Sequence, residues 1–420
     1  MLRMVVVGVL AAIASVAVAV LASSEQGMIG PREDGAMQIN SSDPLTLPVL
    51  LNGEDVLSIV KEHAGAIGEQ MSINAEQASV IAEQSREIAS LNQHVCWLRE
   101  PHLVTVPGAG SGEEKWGGGV LAPNSLIYGV PHSATSVLII NPATHTLDTT
   151  TITGLPSSAA KWNEGVLAPN NNIIYCMPSH HDSVLKIDPS TDTADWTTIT
   201  GVGTATYKFR SGVLGSNGLI YGIPSYAAFV LIIDPRADTI DTTTLSGVGT
   251  GDAKWFGGVA VPDGRIFGIP HSASEVLIID PDTNTFDTTS IAGLDDVAAK
   301  WAGGVLVNNG LIYGIPRFSD SVLIIDPESM TADATSITGL SGSNKWIGGV
   351  LAANGQVIGM PYNSNAVLVI DPDSNTADAT SLVSAGTGSA KFIGGVLAPN
   401  DLIYAIPNSA DSVLVIDVGC

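Results

Sequence analysis

Seven lysines, each followed by Trp or Phe, are the first residues whose type and spacing could do chemistry. They are Lys115, Lys161, Lys208, Lys254, Lys300, Lys345 and Lys391, at intervals of 46, 47, 46, 46, 45 and 46 residues. A proline keeps step with them at Pro131, Pro178, Pro224, Pro270, Pro316, Pro361 and Pro407. The loop after each proline changes from unit to unit, and variable loops on a fixed frame are where specificity usually sits. The side chains there that could read a ligand are His132, His180, His181, Tyr226, His271, Arg317, Tyr362 and Asn408. Ammonium groups set beside aromatic rings could hold a polyanion or a sugar acid. Repetition in every unit also has a packing explanation. Each Lys could pair with an acidic residue such as Asp234 or Asp280, or with nearby carbonyls, while its Trp packs between units.

Other chemistry is weaker. The stretches Asp280-Pro-Asp282-Thr-Asn284 and Asp371-Pro-Asp373-Ser-Asn375 look like partial calcium loops. They lack the Gly and closing Glu of an EF-hand and read more simply as hairpin turns. No metal site and no cofactor is expected. There is no G-x-S-x-G elbow, H-E-x-x-H pair, phosphate loop or dinucleotide fingerprint. No single unit carries an acid-and-histidine constellation that clearly breaks the repetition, which argues against catalysis. Among the alternatives is a lactonase or lyase acting on sugar acids, with His132, His180 or His271 as base.

The elements that must position these residues are legible from the repeat. One unit, 300–340, reads KWAGGVLVNNGLIYGIPRFSDSVLIIDPESMTADATSITGL. It holds four short strand signals separated by Gly, Asn, Asp and Pro, which is the pattern of successive hairpins. Four strands in about 46 residues make one propeller blade, and seven units make a seven-bladed β-propeller. The fold class expected is therefore all-β, four-stranded blades over 99–420. The seventh unit ends at Asp417 after three strands. The stretch His102–Val106 reads like a missing fourth strand, so it is expected to close the ring and remove its open edges.

Upstream, residues 1–22 carry one early Arg and an uncharged apolar run from Met4 to Ala22. They read as a secretory signal cleaved after Ala22, or as an uncleaved membrane anchor. Either way the rest of the chain is expected in an oxidising, extracytoplasmic space. Asn40 heads the N-x-Ser/Thr sequon and is the expected glycosylation site in a eukaryotic route. Residues 23–53 have linker composition. Residues 54–98 have no Pro and place Leu57, Val60, Ala64, Ile67, Met71, Ala78, Ile81, Ile88 and Val95 on one seam with Asn74, Ser85 and Asn92. That is the pattern of a helical, coiled-coil-like stalk that makes a homo-oligomer. The alternative is one amphipathic helix lying on the main domain. Cys96 and Cys420 flank the two ends of the expected closure and are expected to form a disulfide. In the chain-entropy account so long a loop is stabilised by roughly 4–5 kcal/mol. Cys96 could instead link stalks between chains. Cys176 replaces the Gly or Ala of other units and reads as a small buried thiol.

Val276 to Leu294, VLIIDPDTNTFDTTSIAGL, resembles the repeats of YVTN-type surface-layer propellers, and more loosely those of kelch and gluconolactonase-type propellers. The resemblance covers about residues 102–417 and implies the propeller fold. The Lys-Trp-x-Gly-Gly-Val lead-in lies outside the YVTN pattern.

Composition bounds the partners. With 41 acidic and 17 basic residues the chain carries a formal charge of −24, which excludes a phosphate-tracking nucleic-acid binder. With 45% hydrophobic and 14% charged residues it is not a disordered chain. Only 12 basic residues follow His102: the seven lysines, Lys186, Arg210, Arg236, Arg265 and Arg317. The function expected is a secreted or surface-anchored binding and scaffold module for extracellular glycans, polymers or proteins. A purely structural coat or matrix protein is a further alternative. Membrane contact is expected only if the N-terminal segment stays uncleaved.

Overall fold

The computed structural model describes 28–31, 37–40, 50–51, 54–96, 100–295 and 297–419, with side chains at 62–87, 100–295 and 297–419. The expected signal segment, the side chains of Asn40 and Cys96, and Cys420 lie outside the described residues, so the proposed disulfide and glycosylation do too. Contact clustering divides the chain into two units, 1–94 and 95–420.

In the first unit, Met28–Pro31 pairs with Met37–Asn40 and Leu50–Leu51 with Glu54–Asp55, so two short hairpins stand within the expected linker. The second hairpin takes Glu54 and Asp55, and the helix starts two residues later than expected, running Val56–Cys96. Its seam residues Met71 and Ile81 are exposed, as are Ile73 and Val80. No helix among the described residues is long and apolar enough to cross a membrane.

The second unit is a propeller of seven four-stranded antiparallel blades. Blade one runs Trp116–Leu121, Ile127–Pro131, Leu138–Asn141 and Thr146–Asp148 from the axis outward. Blades two to six repeat this over 162–195, 209–241, 255–287, 301–333 and 346–378. Blade seven takes its first three strands from Phe392–Leu397, Ile403–Pro407 and Ser412–Asp417 and its fourth from His102–Pro107. The register runs from Ser412 opposite Pro107 to Asp417 opposite His102, so the closure lies where the sequence places it.

The second strand of every blade is buried, apart from the first residue, Ile173, of blade two, because both of its faces meet neighbouring sheets. The core is therefore a set of clusters between blades. Tyr128, Val130 and Ile139 of blade one, for example, pack on Trp162, Ile174 and Leu185 of blade two. The buried indole N–H groups are satisfied: Trp162 Nε1 donates to Ser183 O at 2.7 Å and Trp346 Nε1 to Ala366 O at 2.8 Å. Cys176 is fully buried in the cluster that holds Tyr128, and burial pushes its thiol pKa up. On the face away from the lysines, tyrosines of blades one, two, three and seven reach the next blade. Tyr128 OH donates to Asp192 Oδ1 at 3.0 Å and Tyr175 OH to Asp238 Oδ1 at 2.9 Å. The partial calcium motifs are turns in which Asp280 Oδ1 accepts the N–H of Asp282 and Thr283, and Asp371 Oδ1 those of Asp373 and Ser374.

Candidate functional site

The lysine-to-strand lead-in and the loop after the proline meet on one face, joined by a closed ring of backbone hydrogen bonds. Within each blade the residue after the proline donates its N–H to the lysine carbonyl. Between blades the next lysine N–H donates to the carbonyl of that same residue. The sequence of residues is Lys115, His132, Lys161, Ser179, Lys208, Ser225, Lys254, His271, Lys300, Arg317, Lys345, Tyr362, Lys391, Asn408 and back to Lys115. Every link is 2.7–3.1 Å long.

The lysine side chains belong to that ring. Lys254 Nζ donates to Ser225 O, Ala227 O and Gly251 O at 3.0, 2.8 and 3.1 Å. Lys161 does the same with His132 O, Ala134 O and Ser158 O, and Lys208 with Ser179 O, His181 O and Ala205 O. Lys345 and Lys391 each reach three equivalent carbonyls, and Lys115 and Lys300 two of them. All seven lysines are buried. Burial pulls Lys161, Lys208 and Lys254 down to about 8. An ammonium has three donors, and here they go to carbonyls of the preceding blade and of the residue three earlier. The partners are carbonyls, not Asp234 or Asp280. The lysines named as ligand contacts therefore sit behind the surface as blade clamps, with their donors turned into the joints. The residue before each lysine has φ between 50° and 59°, a left-handed turn that aims the lysine into its joint.

The residues that line the mouth inside this ring differ between blades. The position after the proline presents His132, Ser179, Ser225, His271, Arg317, Tyr362 and Asn408 in blade order. Ser179 and Ser225 hold the places that His180 and Tyr226 were expected to hold, and those two sit one residue further out. Two residues after each lysine stand Gly117, Asn163, Arg210, Phe256, Ala302, Ile347 and Ile393. Phe256, Ala302, Ile347 and Ile393 form a buried apolar arc, with Tyr362 packed against it. Arg210, Tyr207, Glu114, Phe256 and Ser179 are functional candidates that reading the sequence missed.

Two guanidinium groups, Arg210 and Arg317, each lie over aromatic rings here. Arg210 lies over the rings of Tyr207 at 5.0 Å and Phe256 at 5.5 Å. Arg317 lies over Phe318 at 5.6 Å and Tyr362 at 5.8 Å. Both are pulled down from the usual guanidinium value, chiefly by burial, and Arg317 also feels the charge of Arg210. Arg317 Nη1 sits 2.9 Å from His271 Nε2, and its Nε donates to Asn344 Oδ1 at 2.6 Å. Since a guanidinium only donates, His271 Nε2 accepts, its proton is on Nδ1, and that N–H faces Ala253 O at 3.2 Å. Burial, then Arg317, holds His271 down to about 3, and burial, then Arg210, does the same to His132. Both imidazoles are neutral near pH 7.

Among the described residues, neither arginine makes an ion pair with a carboxylate. The carboxylate whose charge reaches Arg210 is Glu114, more than half exposed, with Oε2 3.9 Å from His132 Nε2. Tyr207 meets His180 edge-on with ring centroids 4.3 Å apart and lies tilted against Tyr226 at 5.6 Å. His132 Nδ1, His180 Nε2, Ser179 Oγ and Asn408 Oδ1 are buried without a hydrogen-bond partner among the described residues. Asn408 Nδ2 donates to Trp116 O at 3.1 Å.

No family model matches the chain, and no curated protein matches it. Among solved structures it is similar to a streptogramin B lyase, with a TM-score of 0.61 at 12% identity over 76% of this chain and 97% of that one. It is similar to virginiamycin B lyase from Staphylococcus aureus, with 0.61 at 11% identity over 76% and 99%. It is similar to the extracellular domain of a hybrid two component system from B. thetaiotaomicron, with 0.57 at 12% identity over 76% and 43%. At these identities the likeness is one of fold.

Beneath the mouth the channel narrows to a cavity of about 200 Å³ walled by glycines and Glu164. The glycines are required there. Gly303 and Gly348 have φ of 93° and 79°, and a Cβ on them would stand 2.9 and 2.6 Å from the Cα of the next blade's glycine. Glu164 takes the place that Gly118, Gly257, Gly303, Gly348 and Gly394 hold in other blades. Burial raises its carboxyl to about 7.

Proposed function

We propose that this protein is an extracellular binding module that takes its ligand in the lysine-face mouth of the propeller and is multimerised by its helix. The observation that carries this reading is where the repetition fails. The lysines, prolines and glycines recur around the ring because every blade joint needs them. At the mouth the same positions hold two arginines, two neutral histidines, an aromatic arc and two serines. Packing symmetry has no use for five kinds of side chain at one repeated rim position, whereas a single asymmetric ligand does. The expected ligands are extracellular glycans, polymers or proteins. The extracellular setting agrees with the N-terminal sequence and with the neighbouring extracellular domain. Exposed seam residues on the helix support its pairing with further copies, and multivalency would convert weak mouth contacts into avidity.

The test is capture of extracellular polysaccharides by the full chain and by a Phe256→Ala/Tyr362→Ala variant of unchanged melting temperature. The reading expects capture by the first and at least tenfold loss in the second. Equal capture by both would place binding elsewhere.

A further inference from the structure

The mouth holds more fixed positive charge than its own residues neutralise. The charge of Arg210 reaches Arg317, both guanidiniums lie over aromatic rings, and neither makes a carboxylate ion pair among the described residues. Burial and the neighbouring arginines both disfavour imidazolium, so the two central histidines add no charge. Glu114 is a carboxylate whose field reaches Arg210, and it is more than half exposed beside His132. Bringing two guanidiniums together out of water is costly unless an anion sits with them, and guanidiniums meet carboxylates in planar, two-bonded geometry.

Around this charge the rim has two unlike halves. Phe256, Ile347 and Ile393, at most 7% exposed, form a buried apolar cluster against which the partly buried Tyr362 packs. Across the mouth, His132, Ser179 and Asn408 are at most 5% exposed, and each keeps a polar atom without a partner among the described residues. Neutral imidazole, hydroxyl and amide groups of this kind pair with hydroxyls on a ligand. An aromatic face opposite them suits the C–H face of a sugar ring.

We infer that the ligand is an acidic sugar, bound by its carboxylate to Arg210 and Arg317. The apolar arc covers the C–H face of the ring, and His132, Ser179 and Asn408 meet its hydroxyls. This rests on the binding-module reading and names the ligand class for the same mouth. A phosphate would share the anion chemistry, so it is an arm of the test.

The experiment is calorimetric titration of the full chain at low salt with glucuronate, glucose and inorganic phosphate. It uses wild type, Arg210→Gln, Arg317→Gln and Phe256→Ala, each with its melting temperature recorded. Expected are glucuronate binding at least tenfold tighter than glucose or phosphate, at least tenfold weakening by either Arg variant, and weakening by Phe256→Ala. Arg210→Lys, which keeps the charge without the fork, should bind glucuronate between wild type and Arg210→Gln, and supplies the test if a Gln variant fails to fold. Phosphate binding as tight as glucuronate, unmoved by Phe256→Ala, would replace the acidic sugar with a bare anion. Glucose binding as tight as glucuronate and lost in Phe256→Ala would overturn the anionic class while leaving the mouth as the site. Glucuronate binding retained in an Arg210→Gln/Arg317→Gln double variant lies elsewhere. Absence of binding by all three probes would also overturn the inference. In those two cases, polysaccharide capture that Phe256→Ala/Tyr362→Ala leaves intact would remove the mouth reading too.

Discussion

A lysine whose three N–H groups end on backbone carbonyls is a structural residue, and the seven here behave as one set. Replacing Lys254 by Gln leaves carbonyls of Ser225, Ala227 and Gly251 short of a donor. Urea unfolding should show a loss of about 2–4 kcal/mol, with ligand affinity retained. The residue before each lysine has a left-handed φ that glycine adopts without strain. Ala390→Gly, at φ 54°, should therefore raise stability by up to about 1 kcal/mol, read from the same unfolding curves. The histidines give the pH dependence. His132 and His271 hold pKa values of about 3, against 6.5 when unfolded. Below pH 6.5 the unfolded chain binds protons that the folded chain refuses, so stability falls as pH drops from 6.5 toward 3. Each histidine contributes up to about 1.4 kcal/mol per pH unit. Glu164 runs the other way, because a carboxyl raised to about 7 makes the folded state lose ground as pH rises from 4.5 to 7. Glu164→Gln should therefore raise the melting temperature at pH 8 and steepen the loss between pH 6.5 and 5. A melting temperature at pH 8 unchanged by Glu164→Gln would contradict that account.

At the scale of elements, the four strands of a blade were legible because the first three are short and apolar, the fourth is alternating and Thr-rich, and Gly, Asn, Asp or Pro stand between them. The closing strand was legible because 102–106 repeats a fourth-strand pattern out of place. The mouth was not. Arg210, Phe256 and Ile347 stand inside the first strand, where the lead-in bulges between the Trp or Phe and Ser211, Gly258 or Gly349. The bulge changes which way a side chain faces, so alternation along the sequence does not say that these positions look into the channel. The same fineness of register separates Ser179 from His180. Comparing the residue two after each lysine across the seven units was the available signal, since six of those places hold no Arg and one does. The helix is a separate matter. If exposed Ile81 and Met71 lie in a seam between copies, Ile81→Asp should lower the oligomeric state measured by light scattering and leave the propeller's melting unchanged.

At the largest scale, the propeller is a ring in which repeated joints carry unlike rims. Stability is spread over seven blade interfaces and a circle of backbone bonds, which frees the mouth to vary without loss of fold. That division between a repeated frame and an asymmetric mouth is the central claim. The most direct measurement of it is binding to an array of anionic and neutral glycans across a salt series, comparing wild type, Arg210→Gln and Lys254→Gln. The account predicts salt-sensitive binding of anionic glycans that Arg210→Gln removes, and that Lys254→Gln keeps below its lowered melting temperature. Binding abolished by Lys254→Gln in the folded protein, and untouched by Arg210→Gln, would put the ligand on the lysine ring and contradict it.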